Sequence, residues 1–240
     1  MSILHTTFLI HWTGKDFHGP GIELNDDIRN QYIDRLMNVL EYGFFMKPGN
    51  ETIWGANGEE ITGSISRTCF TEIKLSLAKQ HATKYGSLGI GVNRKYILER
   101  YGGPVFYVQN GRNSNIIENF YKVNSFLNRL SQGIAGIEAI KLEFAVILAY
   151  LKNMSERDSE ELIYYDELEW RITHLNRLDG KYVTTHDASK FIYRIKIKPD
   201  DIKVIVFPDS KTKNMALQRK DIHELINNPI CATLDDCQYF

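Results

Sequence analysis

The sequence contains little of what marks secreted, zinc-binding or membrane-spanning proteins. Its 240 residues include only three cysteines, Cys69, Cys231 and Cys237, and no two of them form a Cys-x-x-Cys pair. Neither a disulfide framework nor a zinc site is therefore indicated. No apolar run reaches the roughly eighteen residues of a membrane span, and the N-terminus lacks the basic segment of a secretory signal. These absences predict a cytoplasmic protein with no membrane partner.

An excess of one charge is also lacking, and so are the common catalytic motifs. The 29 lysines and arginines nearly balance the 30 aspartates and glutamates, for a formal net charge of −1. This balance gives no overall attraction to nucleic acid. No Walker sequence, Rossmann glycine fingerprint, Gly-x-Ser-x-Gly elbow or His-x-x-x-His spacing occurs. We therefore expect no metal ion, and no serine hydrolase or standard dinucleotide-binding fold.

The residues that are present form an ordinary globular pattern, with 43% hydrophobic and 25% charged residues. A chain of 240 residues suits one large domain, so we predict a single domain over 1–240 with a helical hairpin insertion at about 112–154. Periodicity and capping residues predict the individual elements. The strands are Thr6–Trp12, Leu88–Val92, Pro104–Val108, Glu169–Leu175, Phe191–Ile197 and Val204–Phe207, and the helices are Asp26–Tyr42 after an Asn25 cap, Lys74–Lys84, Asn93–Tyr101, two within Ser114–Met154, and Lys211–Asn227.

Strands at both ends of the chain, with helices clustered in its middle, predict an α+β fold. The sheet is expected to be mixed or antiparallel, and split between segments that are distant in sequence. Phe44–Ser66 carries scattered glycines and no sustained period. We predict a long irregular loop there, with at most a short strand near Ile53, and loops of this kind are often lids or binding segments.

The stretch Arg67–Val92 is the most distinctive part of the chain. In Leu88–Val92, Gly89 and Gly91 alternate with aliphatic residues. A strand of this type has one face without side chains, which a ligand or another backbone segment can approach closely. Tyr85 precedes this strand, and its ring could stack on a planar base or a nicotinamide. Close packing of a neighbouring segment explains the glycines equally well.

Glu169 and Arg171 are two residues apart in the predicted strand Glu169–Leu175, so they face the same side, with Trp170 on the other side towards the core. A carboxylate beside a guanidinium stays ionised, and it can stabilise a cationic transition state or orient a sugar hydroxyl. An ordinary salt bridge is the simpler explanation.

Histidines and lysines supply the remaining candidates. His11 ends the first strand, where a polar side chain can meet a ligand, although a histidine that only anchors the adjacent loop is the simpler interpretation. A modest basic cluster, with Tyr85 and Tyr96 interleaved, surrounds Arg67–Val92 and includes Lys74, Lys79, Lys84, Arg94 and Lys95. A solvated face is the usual explanation of such a cluster.

An ordered set of motifs gives the chain a resemblance to a known family. The motifs are His11-Trp12-Thr13, Tyr42-Gly43-Phe44, Cys69-Phe70-Thr71-Glu72-Ile73, His81, the block Tyr85–Gly91, Pro104–Val108 and Glu169-Trp170-Arg171. Over roughly residues 9–210, this set resembles the AbiGi-type abortive phage infection proteins. The resemblance implies a role at bacterial phage-defence or toxin–antitoxin loci, with a toxin or antitoxin as protein partner.

The same order of parts is more distantly similar to the His–Tyr–Glu plan of ADP-ribosyltransferase folds. In that plan, the histidine holds a ribose of NAD, the tyrosine stacks on nicotinamide, and the glutamate orients the reacting ribose and stabilises its oxocarbenium-like charge. The resemblance implies NAD as the substrate and an ADP-ribosyltransferase-like sheet. It assigns catalysis to His11, Tyr85 and Glu169, and binding of substrate or cofactor to Thr13, His81, Gly89, Gly91 and Arg171.

Three interpretations of function follow. The first is a defence protein with a nucleotide-binding cleft that transfers ADP-ribose from NAD to a macromolecule or hydrolyses NAD. The second is a non-catalytic antitoxin or partner-binding module that uses the same cleft to recognise a partner protein or nucleotide, and that loses its function on surface changes in Phe44–Ser66 or in the Ser114–Met154 helices. The third is a nuclease or RNA-processing protein that uses His11, His81 and the nearby lysines on a nucleic-acid target.

Overall fold

The computed structural model describes residues 8–18, 23–54, 60–109, 115–130, 136–155, 161 and 164–240. It contains twelve strands and seven α-helices in these described ranges. The strands are β1 (Phe8–Thr13), β2 (Phe44–Trp54), β3 (Glu60–Thr71), β4 (Leu88–Asn93), β5 (Gly103–Pro104), β6 (Phe106–Val108), β7 (Leu151–Asn153), β8 (Glu169–Thr173), β9 (Val183–Asp187), β10 (Ile192–Ile195), β11 (Ile202–Phe207) and β12 (Ile230–Thr233). The helices are α1 (Asp26–Tyr42), α2 (Ala78–Tyr85), α3 (Arg94–Leu98), α4 (Asn115–Leu130), α5 (Ile137–Leu148), α6 (Ser210–Leu217) and α7 (Lys220–Leu225).

Ten of the described strands form one sheet, in the order β12-β11-β4-β1-β3-β2-β10-β9, with β8 on β3 and β5 on β8. Its pairs are antiparallel except for β11 with β12. β6 and β7 form a separate parallel pair. The mixed α and β class and the mostly antiparallel sheet are therefore confirmed. Four of the seven described helices, α2 to α5, lie in the middle of the chain, with α1 before them and α6 and α7 after them.

The sheet is split along one edge of β3. β2 pairs with β3 up to Lys47 opposite Arg67, and β1 pairs with β3 at Ile10 opposite Thr71. Residues 68–70 lie between these two pairings. The other edge of β3 pairs continuously with β8 over Arg67–Thr71. β1 and β2 therefore diverge from a common partner strand and leave a gap between them.

The prediction of a long irregular loop at Phe44–Ser66 is wrong, because this segment forms most of an antiparallel hairpin of β2 and β3. Its register runs from Lys47 opposite Arg67 to Trp54 opposite Glu60, on either side of residues 55–59, which lie outside the described residues. Many of its side chains are polar and not buried. Backbone hydrogen bonds can pair two strands even when apolar and polar side chains do not alternate along them. The search for such alternation in the sequence therefore missed both strands.

The main core lies between α1 and one face of the sheet. Asn25 caps α1, since its Oδ1 accepts from the backbone N–H of Ile28 at 2.9 Å, and Gly43 ends the helix with φ of +88°. Both ends agree with the predicted helix. Its buried residues include Tyr32 and Leu36, which pack with strand residues such as Leu9, Phe44, Phe70 and Ile90. A second core, on the other face, contains Ile10, Trp12, Val204 and Val206.

The two helices predicted within Ser114–Met154 are confirmed as α4 and α5. The predicted break between them, near Gly133–Gly136, lies partly outside the described residues, and Gly136, which is described, directly precedes α5 with a φ of +87°. They pack on the β2–β3 hairpin through a third apolar cluster. The segment is not purely helical, because β7 follows α5 and pairs with β6. None of the helices in the described ranges has the length and apolarity needed to cross a bilayer.

Several shorter predictions were also wrong. The helix expected at Lys211–Asn227 is divided into α6 and α7, and the strand expected at Pro104–Val108 is divided between two sheets as β5 and β6. β7, β9 and β12 were not predicted. Each of the three has five residues or fewer, and strands this short carry too few alternating positions for a clear period.

Candidate functional site

His11 lies in the gap between β1 and β2. Its Nδ1 is 2.8 Å from the carbonyl oxygen of Cys69, in the part of β3 that pairs with β8 but with neither β1 nor β2. The imidazole also contacts the rings of Phe44 and Phe70, with centroids 5.0 Å and 5.8 Å away. Burial lowers the pKa of His11, so the ring is neutral at pH 7. A neutral imidazole thus replaces the missing strand–strand hydrogen bond at the split.

A cavity of about 310 Å³ opens beside this split, and we call it the split-sheet cavity. Its lining includes the three residues assigned to catalysis from the sequence, His11, Tyr85 and Glu169, together with Arg171. Segments distant along the chain therefore converge on one cavity. The other four residues assigned to binding from the sequence are not among the residues that line it.

Glu169 and Arg171 lie side by side on β8, as the sequence predicted. Arg171 donates from Nε to Oε1 of Glu169 at 2.6 Å and from Nη2 to Oε2 at 3.1 Å. The exposed fractions are 6% for Glu169 and 1% for Arg171. Trp170 faces the opposite side, where it packs partly against the main core and donates from Nε1 to Glu72 at 2.9 Å. The pair is a buried bidentate ion pair, which is stronger than a surface contact.

Lys152 joins this pair from β7. Its Nζ lies 2.6 Å from Oε2 of Glu169 and 2.5 Å from Oε2 of Glu167. The other oxygen of Glu167 accepts from the hydroxyl of Tyr85. Both carboxylates of the Glu-x-Glu sequence therefore share one ammonium, and Tyr85 is held through its hydroxyl at the cavity wall.

Glu51 and Arg67, from the β2–β3 hairpin, complete the cluster. Oε2 of Glu51 is 2.9 Å from Nη1 of Arg171 and 2.8 Å from Nη2 of Arg67. The described network thus contains three carboxylates and three cations, and its formal charge is zero. We call it the six-charge network; its members are Glu51, Arg67, Lys152, Glu167, Glu169 and Arg171.

Sequence reasoning missed four of these six residues. Glu51 lies in a segment that was expected to be mostly loop, Arg67 begins the stretch Arg67–Val92 but was not singled out, and Lys152 lies on a three-residue strand that was not predicted. Glu167, two residues before Glu169, was not singled out. Two acidic residues spaced by two, just before a strand, were the available signal for Glu167.

Three ionisable groups of the cavity, Glu169, Tyr85 and Cys69, have pKa values far from neutral pH. Burial opposes the charge of Glu169, but Arg171 and Lys152 outweigh it and lower the pKa of Glu169 to about 2. Burial, together with the Glu167 carboxylate, raises the pKa of Tyr85 far above its ordinary value. Burial raises the pKa of the Cys69 thiol to about 12. A general acid or base works best with a pKa near the operating pH, and these three groups do not meet that condition.

Glycines 89 and 91 do not present an open face. A Cβ at Gly89 would lie 2.9 Å from the Trp12 ring, and a Cβ at Gly91 would lie 2.2 Å from Cγ1 of Val204. Side chains of the neighbouring strands β1 and β11 therefore fill the space that the glycines leave. Close packing, one of the two interpretations that the sequence left open, accounts for the alternating glycines.

Thr13 and His81 are placed near the cavity but outside its lining. Oγ1 of Thr13 accepts from Arg35 at 2.8 Å. His81 is buried on α2, with its ring centroid 6.0 Å from that of Tyr85, and burial lowers its pKa. Nδ1 of His81 has no hydrogen-bond partner in the described part of the chain.

The basic cluster around Arg67–Val92 is largely neutralised. Lys79 pairs with Asp235, Arg94 with Glu72, and Lys95 with Glu99. Tyr96, which was expected to interleave with these cations, is fully buried in the main core. Within the described ranges, moreover, no group of three or more histidine, cysteine, aspartate or glutamate residues could hold a metal ion.

Comparison with known proteins gave one finding. The family model described as "Putative abortive phage resistance protein AbiGi, antitoxin" matches residues 50–208, well over half of the chain. No match was found among proteins of curated function or among solved structures. The matched segment contains all of the six-charge network and both α4 and α5, whereas His11 and Thr13 precede it.

Proposed function

Because the chain belongs to the AbiGi family of abortive phage resistance antitoxins, and so to phage defence, we propose that it works by binding a toxin protein. The membership confirms the family resemblance expected from the sequence motifs. Of the three functional interpretations, an antitoxin that binds its partner without catalysis fits this family description best.

The observation that carries the proposal is the exposed apolar surface of α4 and α5. Six large apolar side chains on these two helices are between 44% and 56% exposed. We call five of them the helical apolar surface, namely Ile116, Val123, Phe126, Ile140 and Ile147; Leu142 faces another side of α5, about 200° around the helix from Ile140. The two helices meet through the rings of Phe120 and Phe144, and apolar side chains concentrated on neighbouring elements, unlike scattered ones, are typical of protein–protein contact sites.

On each helix, apolar side chains extend around more of the helix surface than the side that packs on the β2–β3 hairpin. On α4, Ile117 and Leu127 are buried, and Ile116 and Val123, seven residues apart, lie on one line beside them. On α5, Ile140 and Ile147 have the same seven-residue spacing. Folding of this chain alone leaves these lines in water, so a partner with an apolar groove would bury them.

The charges on the two helices favour neither a positively nor a negatively charged surface on the partner. Lys122 pairs with Glu118 on α4, and Lys141 pairs with Glu138 on α5. These pairs are formed within each helix and leave the apolar lines as the distinctive feature. We therefore expect the toxin contact to depend mainly on apolar burial and only weakly on salt.

The test is growth rescue and co-purification with the toxin that this chain counteracts. The double variant Val123→Ser/Phe126→Ser should lose rescue, because each buried apolar side chain contributes about 1.5–3 kcal/mol, or roughly 10- to 100-fold in affinity. Both side chains are exposed, so the stability of the free protein should change by about 0.5 kcal/mol or less.

Ile230→Ser is the matched control, since Ile230 is 50% exposed on β12 and lies outside the matched segment. This variant should rescue growth as the wild type does. Normal rescue and co-purification by the double variant would remove α4 from the toxin contact.

A second candidate function is binding of a nucleotide such as NAD in the split-sheet cavity. It is favoured by the convergence of His11, Tyr85 and Glu169 on that cavity. At about 310 Å³ the cavity is at the small end of ligand pockets, so it suits one nucleoside-sized part of a dinucleotide. Catalysis by Glu169 would require release of Lys152 or Arg171, because these cations occupy both of its oxygens.

Calorimetric titration with NAD, together with an NAD-consumption assay, tests the second candidate. Tyr85→Phe is the appropriate variant, since it removes one hydroxyl and keeps the ring. If wild-type protein neither binds nor consumes NAD, this candidate is rejected and the antitoxin proposal is unaffected.

A further inference from the structure

Arg194 is a buried cation without a carboxylate partner among the described residues. It lies on β10 with 6% of its surface exposed. Its hydrogen bonds run from Nη1, to Oδ1 of Asn38 at 2.6 Å and to the carbonyl oxygen of Gly43 at 3.1 Å. Nε is buried and has no hydrogen-bond partner in the described ranges. A buried guanidinium of this kind is costly unless an anion compensates it.

Aromatic rings hold the guanidinium in place. Its Cζ lies 3.3 Å from the centroid of the Phe45 ring and 5.8 Å from that of Tyr42. The carbonyl end of α1, where Gly43 is the cap, offsets part of the positive charge. Burial nevertheless lowers the pKa of Arg194, which indicates that the local surroundings do not fully stabilise the charge.

A cavity of about 720 Å³ opens next to Arg194, between the end of α1 and strands β9 and β10. We call it the Arg194 cavity. Lys196 and Lys198 also line it, and Glu41 is the one carboxylate among its described lining residues. Since Nζ of Lys196 donates to the carbonyl oxygen of Gly180 at 2.8 Å, Lys196 adds charge to the cavity but is itself anchored. The cations exceed the carboxylate by two.

Hydroxyl donors and an aromatic ring complete the lining. Thr184, which lies opposite Arg194 in the pairing of β9 with β10, supplies a side-chain hydroxyl group, and His186 is also among the lining residues. Tyr42 is 58% exposed at this site, so its ring offers a flat surface for stacking. Guanidinium, ammonium and hydroxyl donors together match the oxygen atoms of a phosphate group, and Arg is well suited to bind phosphate through two of its nitrogens.

We propose that the Arg194 cavity binds the phosphate group of a small phosphorylated molecule. The phosphate contacts Arg194 and Lys198, and a planar group attached to it stacks on Tyr42. The residues that line this site belong neither to the helical apolar surface nor to the split-sheet cavity. The antitoxin would therefore bind a small molecule and its toxin at different places.

Isothermal titration calorimetry with inorganic phosphate, pyrophosphate and AMP tests the proposal. Binding is expected, and Arg194→Met should weaken it roughly 10- to 100-fold, since it removes charge-assisted hydrogen bonds. Tighter binding of AMP than of phosphate is expected if the base stacks on Tyr42, and equal binding would refute the stacking part of the proposal.

Lys198→Met is the second variant, because Lys198 is exposed and the variant should fold even if Arg194→Met does not. It should weaken binding several-fold, whereas Arg219→Met, which alters an arginine outside the cavity, should have no effect. The proposal is overturned if none of the three probes binds, if all variants bind as the wild type does, or if single-stranded RNA binds while AMP and phosphate do not.

Discussion

The strongest energetic prediction concerns the buried carboxylate of Glu169. Glu169→Gln keeps the size of the side chain but removes its charge, and so leaves Arg171 and Lys152 facing an amide. Both oxygens of Glu169 accept from these cations, at 2.6–3.1 Å. Removing one partner of a buried ion pair costs about 3–5 kcal/mol, because the remaining charge stays buried.

The pKa of Glu169 gives a similar magnitude. A pKa of about 2, against an ordinary 4.5, corresponds to about 3 kcal/mol at 1.36 kcal/mol per pKa unit. Because the folded-state pKa is the lower one, this stability is present above about pH 4.5 and is lost as the pH falls through 2. The difference between wild type and Glu169→Gln should therefore be constant from pH 8 to 5 and shrink below pH 4.5.

Urea unfolding followed by circular dichroism, at several pH values, measures this difference. Glu118→Gln is the control, since Glu118 forms an exposed pair with Lys122 on α4 and should cost less than about 1 kcal/mol. A loss below 1 kcal/mol for Glu169→Gln, or a loss that does not change with pH, would refute the account of the six-charge network. A large loss would also mean that inactivity of Glu169→Gln is no proof of catalysis.

Two further predictions concern packing and helix capping. Gly91→Ala should destabilise the protein by about 1–3 kcal/mol, because the new Cβ would meet Val204 at 2.2 Å. Gly103→Ala is the control and should be neutral, since no atom lies within 4 Å of its new Cβ. Equal effects of the two variants in thermal melts would refute the packing role of Gly91. Asn25→Ala should cost about 1 kcal/mol in urea unfolding, because the cap on Ile28 N is lost, and a change below about 0.3 kcal/mol would contradict this.

Elements with strong local signals were predictable from the sequence. The Asn25 cap and the glycine after Tyr42 fixed the ends of α1, and the alternating aliphatic residues of Leu88–Val92 defined β4. That Glu169 and Arg171 lie on the same face of β8 followed directly from the two-residue period of a strand. In each case the signal lies within a few residues of the element itself.

Features that depend on long-range pairing were not predictable. Lys152 reaches Glu169 only because β7 pairs with β6, and the intervening residues give no sign of that register. Whether a ligand or protein fills the space at Gly91 depends on Val204, more than a hundred residues later. The charge balance of the cavity likewise depends on Glu51, whose strand is stabilised by backbone pairing and not by an apolar pattern.

Hydrogen–deuterium exchange of the chain, alone and with its toxin, tests the central claim most directly. Toxin binding through the helical apolar surface predicts slower exchange in α4 and α5, and little change in β9 and β10 at the Arg194 cavity. Unchanged exchange in both helices, in a complex that protects other elements, would contradict the claim that this surface binds the toxin.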